Sequence, residues 1–274
     1  ERIYLARAAL HMWEEPCISG TKGSGAVFFS GCGLRCCFCQ NHDIAIGSRG
    51  RAVSVERLGE IFLELKEKGA ANINLVTGAH YVPQIIEALD MARRNGLDIP
   101  VVYNSSGYEK TETLKLLEGY VDIYLPDLKY LDPELAQKFS YAPDYVQAAK
   151  AAIGEMVRQT GKCEFGEDGY IRKGTIVRHL ILPGHTGNSI KALRYLHETY
   201  GEDIYISIMN QYTPVRKFVE FKELNRKVTK REYEKVLDAA VDMGIQNGFI
   251  QEGETASESF IPDFDYEGVE KNTP

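Results

Sequence analysis

The sequence predicts an α/β fold, an open and partial (β/α)6 barrel of the TIM type built on a parallel sheet. Apolar, strand-like runs alternate with helical patterns six times or slightly more, which is typical of parallel strands joined by right-handed crossovers. The runs are almost continuously apolar, as expected for strands covered on both faces. A complete eight-fold barrel takes about 250 residues, and an N-terminal extension (1–23) and an acidic, irregular C-terminal tail (252–274) leave too few. We therefore expect one domain spanning residues 1–274.

Six strands are predicted along the chain, and a seventh is possible at its end. Each is a short run of aliphatic or aromatic residues bounded by residues that favour turns. The predicted strands cover residues 25–30, 72–78, 99–104, 121–127, 174–184 and 203–210, with 244–251 as the possible last strand.

Between these strands, apolar residues recur at helical spacing. The first helix opens at Ser54, whose side chain can cap it, and ends at Gly69, and the second ends at Gly96. The predicted helices cover residues 54–69, 82–96 and 111–119, one or two helices within 133–160, and then 189–201 and 229–244.

Composition and charge exclude several classes of protein. The net charge of −7 argues against a general nucleic-acid surface, because phosphate binding requires clustered Lys and Arg. No apolar run reaches the roughly 20 residues of a membrane helix, and the N-terminus lacks the pattern of a signal peptide. Four of the six cysteines lie in one loop, unlike those of a secreted disulfide scaffold. We therefore predict a cytoplasmic protein that binds neither membranes nor nucleic acids.

A polar loop follows each of the six predicted strands. In parallel α/β folds the carboxyl ends of the strands meet on one rim, where sites form. Gly and Asn could simply mark turns there, but six such loops on one rim favour a site. In chain order the loops read SGCGLRCCFCQN (30–41), TGAH (77–80), NSSG (104–107), PDLK (126–129), PGHTGN (183–188) and NQY (210–212).

The first of these loops carries the thiols that indicate a metal site. Cys32, Cys36 and Cys39 have the spacing C-x3-C-x2-C, and three thiolates can bind three irons of a [4Fe-4S] cluster. Zinc is the rival, but a structural zinc site needs four ligands. The fourth could be Cys37 or His42, although two adjacent cysteines cannot easily turn to one ion. Three ligands with an open position favour the cluster, and a zinc-binding module without catalysis is the remote alternative.

With Phe38 as its aromatic residue, the motif C-x3-C-x-aromatic-C resembles that of the radical S-adenosylmethionine (SAM) superfamily. The resemblance implies that Cys32, Cys36 and Cys39 bind a [4Fe-4S] cluster whose fourth iron binds SAM. It also implies that an electron from the cluster splits SAM to a 5′-deoxyadenosyl radical, which abstracts hydrogen from a substrate. An electron donor such as flavodoxin or ferredoxin would be a partner.

Further segments are similar to one branch of that superfamily, the pyruvate formate-lyase activating enzyme and its uncharacterised Fe-S relatives. The resemblance implies that the protein activates a glycyl radical enzyme. The alternative is that the same radical modifies a small molecule or a peptide side chain. The segments are WEEPCISG (13–20), YNSSGY (103–108), PDLKY (126–130), VRHLILPG (177–184) and FIPDF (260–264).

The resemblance also implies a set of cofactor-binding residues. Lys129 is the first candidate for pairing the methionyl carboxylate of SAM and Arg178 the second; the alternatives are a solvated surface lysine and a structural ion pair. No catalytic residue is assigned. Thr77 and Gly78 stand in place of a Gly-Gly-Glu segment, Asn104 and Ser106 in place of Asp-Thr-Asn-Gly, and Asp127 and Lys129 match Asp-Leu-Lys. The other implied cofactor-binding residues are Phe38 of the cysteine motif, Arg178 and Gln211.

The remaining polar and thiol residues have weaker expectations. Glu14 and Glu15 could line a mouth for a basic substrate, but we expect a solvated charge pair. Cys17 could donate a hydrogen atom, but Cys17, Cys37 and Cys163 are expected to be structural. The rim candidates are His80, His179, His185 and Asn210, whereas His11 and His197 are expected to be structural.

Overall fold

The computed structural model describes residues 2–250 and 262–270, which contain ten strands and nine α-helices. The strands are β1 (Ile3–His11), β2 (Ser24–Phe29), β3 (Arg51–Val53), β4 (Ile73–Val76), β5 (Val101–Ser105), β6 (Ile123–Pro126), β7 (Glu164–Phe165), β8 (Ile171–Leu180), β9 (Tyr205–Met209) and β10 (Gly248–Ile250). The helices are α1 (Pro16–Ser19), α2 (His42–Ala45), α3 (Val55–Glu67), α4 (Val82–Arg94), α5 (Thr111–Lys115), α6 (Pro133–Ser140), α7 (Tyr145–Thr160), α8 (Thr186–Tyr200) and α9 (Lys230–Asp242).

The sheet has the order β10-β9-β8-β6-β5-β4-β2-β1-β3, and β7 pairs with β8. All pairs from β2 to β10 along this path are parallel. Within the described residues the two ends of the path do not pair, so the barrel stays open. The predicted fold class is therefore confirmed, and the possible last strand predicted over 244–251 is present as β10, parallel to β9.

The N-terminal extension contains more regular structure than the sequence analysis expected. β1 pairs antiparallel with β2 and with β3 and so extends the sheet beyond its parallel part. The single helix or pair of helices predicted over 133–160 is two helices. The break falls at Tyr141, whose φ of 54° is left-handed and cannot continue the helix, and Pro143 follows it.

A row of buried side chains across the sheet shows how strands and helices pack. Val27, Leu75, Tyr103 and Tyr124 lie opposite one another in successive strands, and all four belong to the core that includes α3 and α4. Since successive side chains of a strand point to opposite faces, their neighbours point into the barrel. A second core surrounds α6, α7, α8 and the strands β8 and β9.

The helix boundaries follow local capping. The Ser54 hydroxyl accepts a hydrogen bond from the Arg57 N–H at 3.2 Å, as an N-cap does. None of the helices among the described residues combines the length and the apolar character required to cross a membrane.

The described part of the C-terminal tail, residues 262–270, is irregular and packs along β1. Tyr266 N–H donates to the Ala6 carbonyl at 3.1 Å, and Ala8 N–H donates to the Glu267 carbonyl at 2.8 Å. The first two residues of the FIPDF segment lie outside the described residues.

Candidate active site

A cavity of about 530 Å³ opens at the carboxyl ends of the parallel strands. Side chains following β2, β4, β5, β6, β8 and β9 line it, as expected for the active site of a parallel barrel. The residues predicted for the site that line this cavity are Cys32, Cys36, Phe38, Cys39, Thr77, Asn104, Ser106, Asp127, Lys129, Arg178 and Gln211.

Of the four cysteines in the first loop, three line the cavity and the fourth does not. Cys37 is buried, and its N–H donates to the Phe139 carbonyl at 2.8 Å at the end of α6. Cys37 is therefore held against the end of α6, whereas the neighbouring Cys36 lines the cavity.

Each of the three cavity thiols has a hydrogen-bond donor at its sulfur. Leu34 N–H points to the Cys32 sulfur at 3.4 Å, and the Ser140 hydroxyl donates to the Cys36 sulfur at 3.0 Å. The backbone of Asn41 hydrogen-bonds to Cys39. Such donors stabilise the thiolate form that binds iron.

Burial acts in the opposite direction on these thiols. It raises the pKa of Cys32, of Cys36 and of Cys39, the last to about 12. Among the described residues no three His, Cys, Asp or Glu side chains converge as ligands of one metal ion. Three thiols with separate donors on one cavity wall fit a cluster, in which each thiolate binds a different iron.

Two contacts join the thiol loop to the segment that follows β9, and they involve Phe38 and Gln211. The Phe38 ring packs edge-on against Tyr212, with centroids 6.1 Å apart. Gln40 Nε2 donates to the Gln211 carbonyl at 3.3 Å and so joins the loop to the end of β9. Both contacts fix the loop against the barrel.

Thr77 adopts a left-handed backbone with a φ of 61°, which is a genuine outlier for a β-branched residue. Its N–H donates to the Asn104 carbonyl at 2.9 Å, so two predicted cofactor residues are joined directly. Gly78 does not line the cavity among the described residues. A Cβ at Gly78 would meet Ile85 Cδ1 at 2.7 Å, and packing accounts for this glycine.

Asp127 and Lys129 form an ion pair at the end of β6. The Lys129 side chain is only 17% exposed, so it is not a solvated surface lysine. Burial lowers the pKa of Lys129, but the carboxylate of Asp127 outweighs it and holds the ammonium charged, with a net pKa above the ordinary value. This arrangement supplies a fixed positive charge in the cavity wall.

The Tyr145 hydroxyl holds the ends of β5 and β6 together. Its single O–H is shared between the carbonyls of Ser106 at 3.0 Å and Asp127 at 2.9 Å. It also accepts from the Lys129 N–H at 2.9 Å. A fully buried residue outside the cavity thus positions three of its lining residues.

Arg178 is bound by two carboxylates from the N-terminal segment. Its Nε and Nη2 donate to the Glu15 carboxylate at 2.8 and 2.6 Å, and Nη2 also pairs with Glu14. The Glu14 and Glu15 side chains are only 7% and 5% exposed. The expectation of a solvated charge pair is therefore wrong, because both glutamates are buried against a guanidinium.

All three rim histidines, His80, His179 and His185, lie outside the cavity lining, as does Asn210. His179 is buried between the Leu128 carbonyl and the Ser189 hydroxyl, on the helix side of β8. His80 packs against Gly31, and His185 against Phe139. Strand alternation could not predict which face of the sheet His179 occupies, and its contacts with Leu128 and Ser189 place it on the helix side.

Residues 11–16 line the cavity in one continuous run, and most of them were missed by the sequence analysis. His11 had been expected to be structural, although it lines the wall. Cys17 and Cys163 lie outside the lining and pack with the core around β8. The apolar run IYLARAALH, residues 3–11, interrupted only by Arg7, was the signal that could have placed residues 11–16 at a strand end.

The radical SAM superfamily model matches residues 26–196, and the chain belongs to this superfamily. Its members use a [4Fe-4S] cluster and SAM, and a SAM-bound structure of SuiB from Streptococcus suis is among the similar folds.

Two curated relatives are similar in sequence. An uncharacterized protein of Methanocaldococcus jannaschii is 28% identical over 244 residues, which cover 86% of this chain and 67% of that protein. The pyruvate formate-lyase-activating enzyme of Clostridium pasteurianum is 27% identical over 113 residues, covering 39% of this chain and 46% of that enzyme.

Two solved structures share the fold at low sequence identity. SuiB of Streptococcus suis bound to the precursor peptide SuiA has a TM-score of 0.55 at 15% identity, covering 82% of this chain and 47% of SuiB. The FeFe-hydrogenase maturase HydG of Carboxydothermus hydrogenoformans has a TM-score of 0.52 at 14% identity, covering 81% and 52%. The match thus spans about half of each of these chains.

Proposed function

We propose that this radical SAM enzyme holds its [4Fe-4S] cluster through Cys32, Cys36 and Cys39 and binds SAM in the same cavity. The observation that carries the proposal is that the three thiols and the Asp127–Lys129 pair line one cavity. When bound, the cluster supplies the electron that splits SAM into methionine and a 5′-deoxyadenosyl radical, which takes a hydrogen atom from the substrate.

The protein side chains bind and orient SAM and exclude water. Lys129, held charged by Asp127, would donate a charge-assisted hydrogen bond to the SAM carboxylate. Apolar side chains shield the cavity from water, which a reactive intermediate requires; they include Phe28, Leu34, Ile44 and Met209. We assign the other SAM contacts to Phe38, Thr77, Asn104, Ser106 and Gln211, with Gly78 supporting the turn after Thr77.

The reaction we favour is activation of a glycyl radical enzyme by abstraction of hydrogen from a glycine. The similarity to the activating enzyme of Clostridium pasteurianum supports it over 113 residues. The second candidate is modification of a small molecule or a peptide side chain by the same radical. The buried carboxylates of Glu14 and Glu15 in the cavity wall favour this candidate.

We infer a flavodoxin or ferredoxin as electron donor, since reductive cleavage requires one electron for each SAM. The described cysteines are all free thiols, which fits a reducing compartment such as the cytoplasm.

The first test is anaerobic reconstitution with iron and sulfide, followed by assay of 5′-deoxyadenosine. We expect Cys32→Ala, Cys36→Ala and Cys39→Ala each to lose bound iron and SAM cleavage. The matched control is Cys37→Ala, which removes a thiol from the same loop but outside the cavity. Loss of the cluster in that control, or a colourless wild-type protein holding stoichiometric zinc, would contradict the proposal.

The second test separates the two substrate classes. The reconstituted protein is incubated with SAM, a reductant and a glycyl radical enzyme from the same organism. A glycyl radical signal in electron paramagnetic resonance supports the activase reaction. Absence of any such enzyme from the genome would exclude it and leave the second candidate.

A further inference from the structure

The wall of the cavity formed by residues 11–16 carries an excess of negative charge. Glu14 and Glu15 are both buried, and Arg178 is the guanidinium that pairs with them. Two carboxylates against one guanidinium leave one negative charge. The other charged pair in the lining, Asp127 and Lys129, is neutral as a whole.

The nearby histidine does not compensate this charge. Burial lowers the pKa of His11, which lines the same wall, so its imidazole is neutral at pH 7. Burying an uncompensated carboxylate costs free energy unless a cation or several donors satisfy it. Ser207 and Asn74 add neutral hydrogen bonds to Glu15 and Glu14, but neither brings a positive charge. The wall is therefore suited to a ligand that carries one.

A second observation points to a ligand that carries hydrogen-bond donors. Asn74 is fully buried, and its Nδ2 donates to Glu14 Oε1 at 2.9 Å. Its Oδ1 has no hydrogen-bond partner among the described residues. Asn74 does not itself line the cavity, but it shares a face of β4 with Val76, which does, and it contacts Glu14. Its unpartnered acceptor therefore lies in the barrel interior, directly behind the carboxylate wall.

We infer that Glu14, Glu15 and Asn74 recognise a primary ammonium group on the substrate. This inference rests on the proposed function and specifies the substrate class of the same cavity. An ammonium brings one positive charge and three donors, which match the one excess charge and the unpartnered acceptor. Met12 and Trp13 belong to the same wall, and an indole ring can bind a cation through its face.

The inference is tested on the reconstituted holoenzyme with SAM present. Binding of Nα-acetyl-lysine N-methylamide is compared by calorimetry with that of the norleucine analogue, which has the same chain without the ammonium. We expect the lysine probe to bind about tenfold more tightly or better, as a charge-assisted hydrogen bond provides. Equal binding of the two probes, or binding of neither, would overturn the inference.

Two variants locate the selectivity. Glu14→Gln removes the excess charge and leaves the Arg178–Glu15 pair, so the preference for lysine should fall below about threefold. Glu87→Gln removes the same charge from an exposed position on α4 and should keep the preference. If Glu14→Gln weakens SAM binding as much as lysine binding, the wall serves SAM and the inference is wrong.

The failures of the two proposals can be distinguished. If the wild type binds no cluster and releases no 5′-deoxyadenosine, the proposed function fails, whatever the probes do. If the wild type cleaves SAM but does not discriminate the probes, only the inferred substrate class fails. The comparison of probes uses the wild type alone, so it stands even if Glu14→Gln does not fold.

Discussion

At the scale of single residues, Tyr145 shows how a side chain outside the cavity can determine its shape. Its hydroxyl bonds the Ser106 and Asp127 carbonyls and the Lys129 N–H. We expect Tyr145→Phe to lower the free energy of unfolding by about 1–3 kcal/mol, because buried backbone groups lose their partner. Urea unfolding measures this change.

Tyr108→Phe provides a matched control for that substitution. The Tyr108 hydroxyl bonds the Asp144 side chain at 2.7 Å in an exposed position, where water can replace it. Its removal should change stability by less than about 0.5 kcal/mol. Equal losses in the two variants would mean that Tyr145 does not have the positioning role.

A second prediction concerns Glu109 and pH. Burial raises the pKa of Glu109 from the ordinary value of 4.5 to about 7, although hydrogen bonds from Ser105 and Tyr103 lower it in part. The folded protein keeps this proton longer than the unfolded chain does. The stabilisation is therefore complete below pH 4.5 and is lost as pH rises to about 7.

Unfolding at about pH 5 and about pH 8 tests this expectation in the wild type and in Glu109→Gln. The wild type should lose on the order of 2–3 kcal/mol more than the variant between these values, since one pKa unit corresponds to about 1.4 kcal/mol. The amide stays neutral throughout. A variant with the same pH dependence as the wild type would show that Glu109 does not titrate in this window.

The residue scale also shows what the sequence could and could not predict. The spacing of Cys32, Cys36 and Cys39 predicted three residues that line one cavity. The partners of Arg178 could not be predicted, because Glu15 lies 163 residues away in the chain. Only the assembled barrel brings the N-terminal segment beside β8.

At the scale of elements, the approach of the β5 and β6 ends depends on Gly107. Its φ of 74° is left-handed, and an added Cβ would collide with the Asp127 carbonyl. We expect Gly107→Ala to separate the two strand ends that carry Ser106 and Asp127. SAM binding to the reconstituted protein should weaken at least about tenfold, equivalent to about 1.4 kcal/mol.

Gly119→Ala is the control for backbone strain. Gly119 has a similar φ of 81°, and nothing lies within 4 Å of an added Cβ. Both variants carry the left-handed penalty of about 1–2 kcal/mol, but only Gly107→Ala meets a collision. If both variants bind SAM as the wild type does, the close approach is not needed for the site.

Secondary structure was predictable where pattern and burial agree. The parallel strands are apolar runs because helices cover them, and the six were found. β1 could not be predicted from a period-two pattern, because its burial alternates only in part. The hairpin of β7 and β8 was missed because Glu164 and Phe165 are exposed and carry no apolar pattern.

At the scale of the whole molecule, the C-terminal segment 262–270 packs against β1, the first strand of the chain. Residues 262–270 hydrogen-bond to β1, and Arg57 of α3 donates to the Gly268 and Val269 carbonyls. This contact lies at the antiparallel edge of the sheet, where the barrel is open. Residues 262–270 thus cover the outer edge of β1. The carboxyl end of β1 leads into residues 11–16, which form the acidic wall of the cavity.

A substitution at Val269 tests whether the packing of residues 262–270 stabilises the whole fold. Its side chain is 1% exposed and belongs to the core around α3. Val269→Ala should therefore lower the free energy of unfolding by about 2 kcal/mol, from lost burial and the cavity left behind. Val219→Ala, at a site 81% exposed, should change it by less than about 0.5 kcal/mol. Urea unfolding followed by fluorescence and by circular dichroism should give one coincident transition in each variant. If Val269→Ala is as stable as Val219→Ala, the C-terminal segment is not part of the cooperative fold.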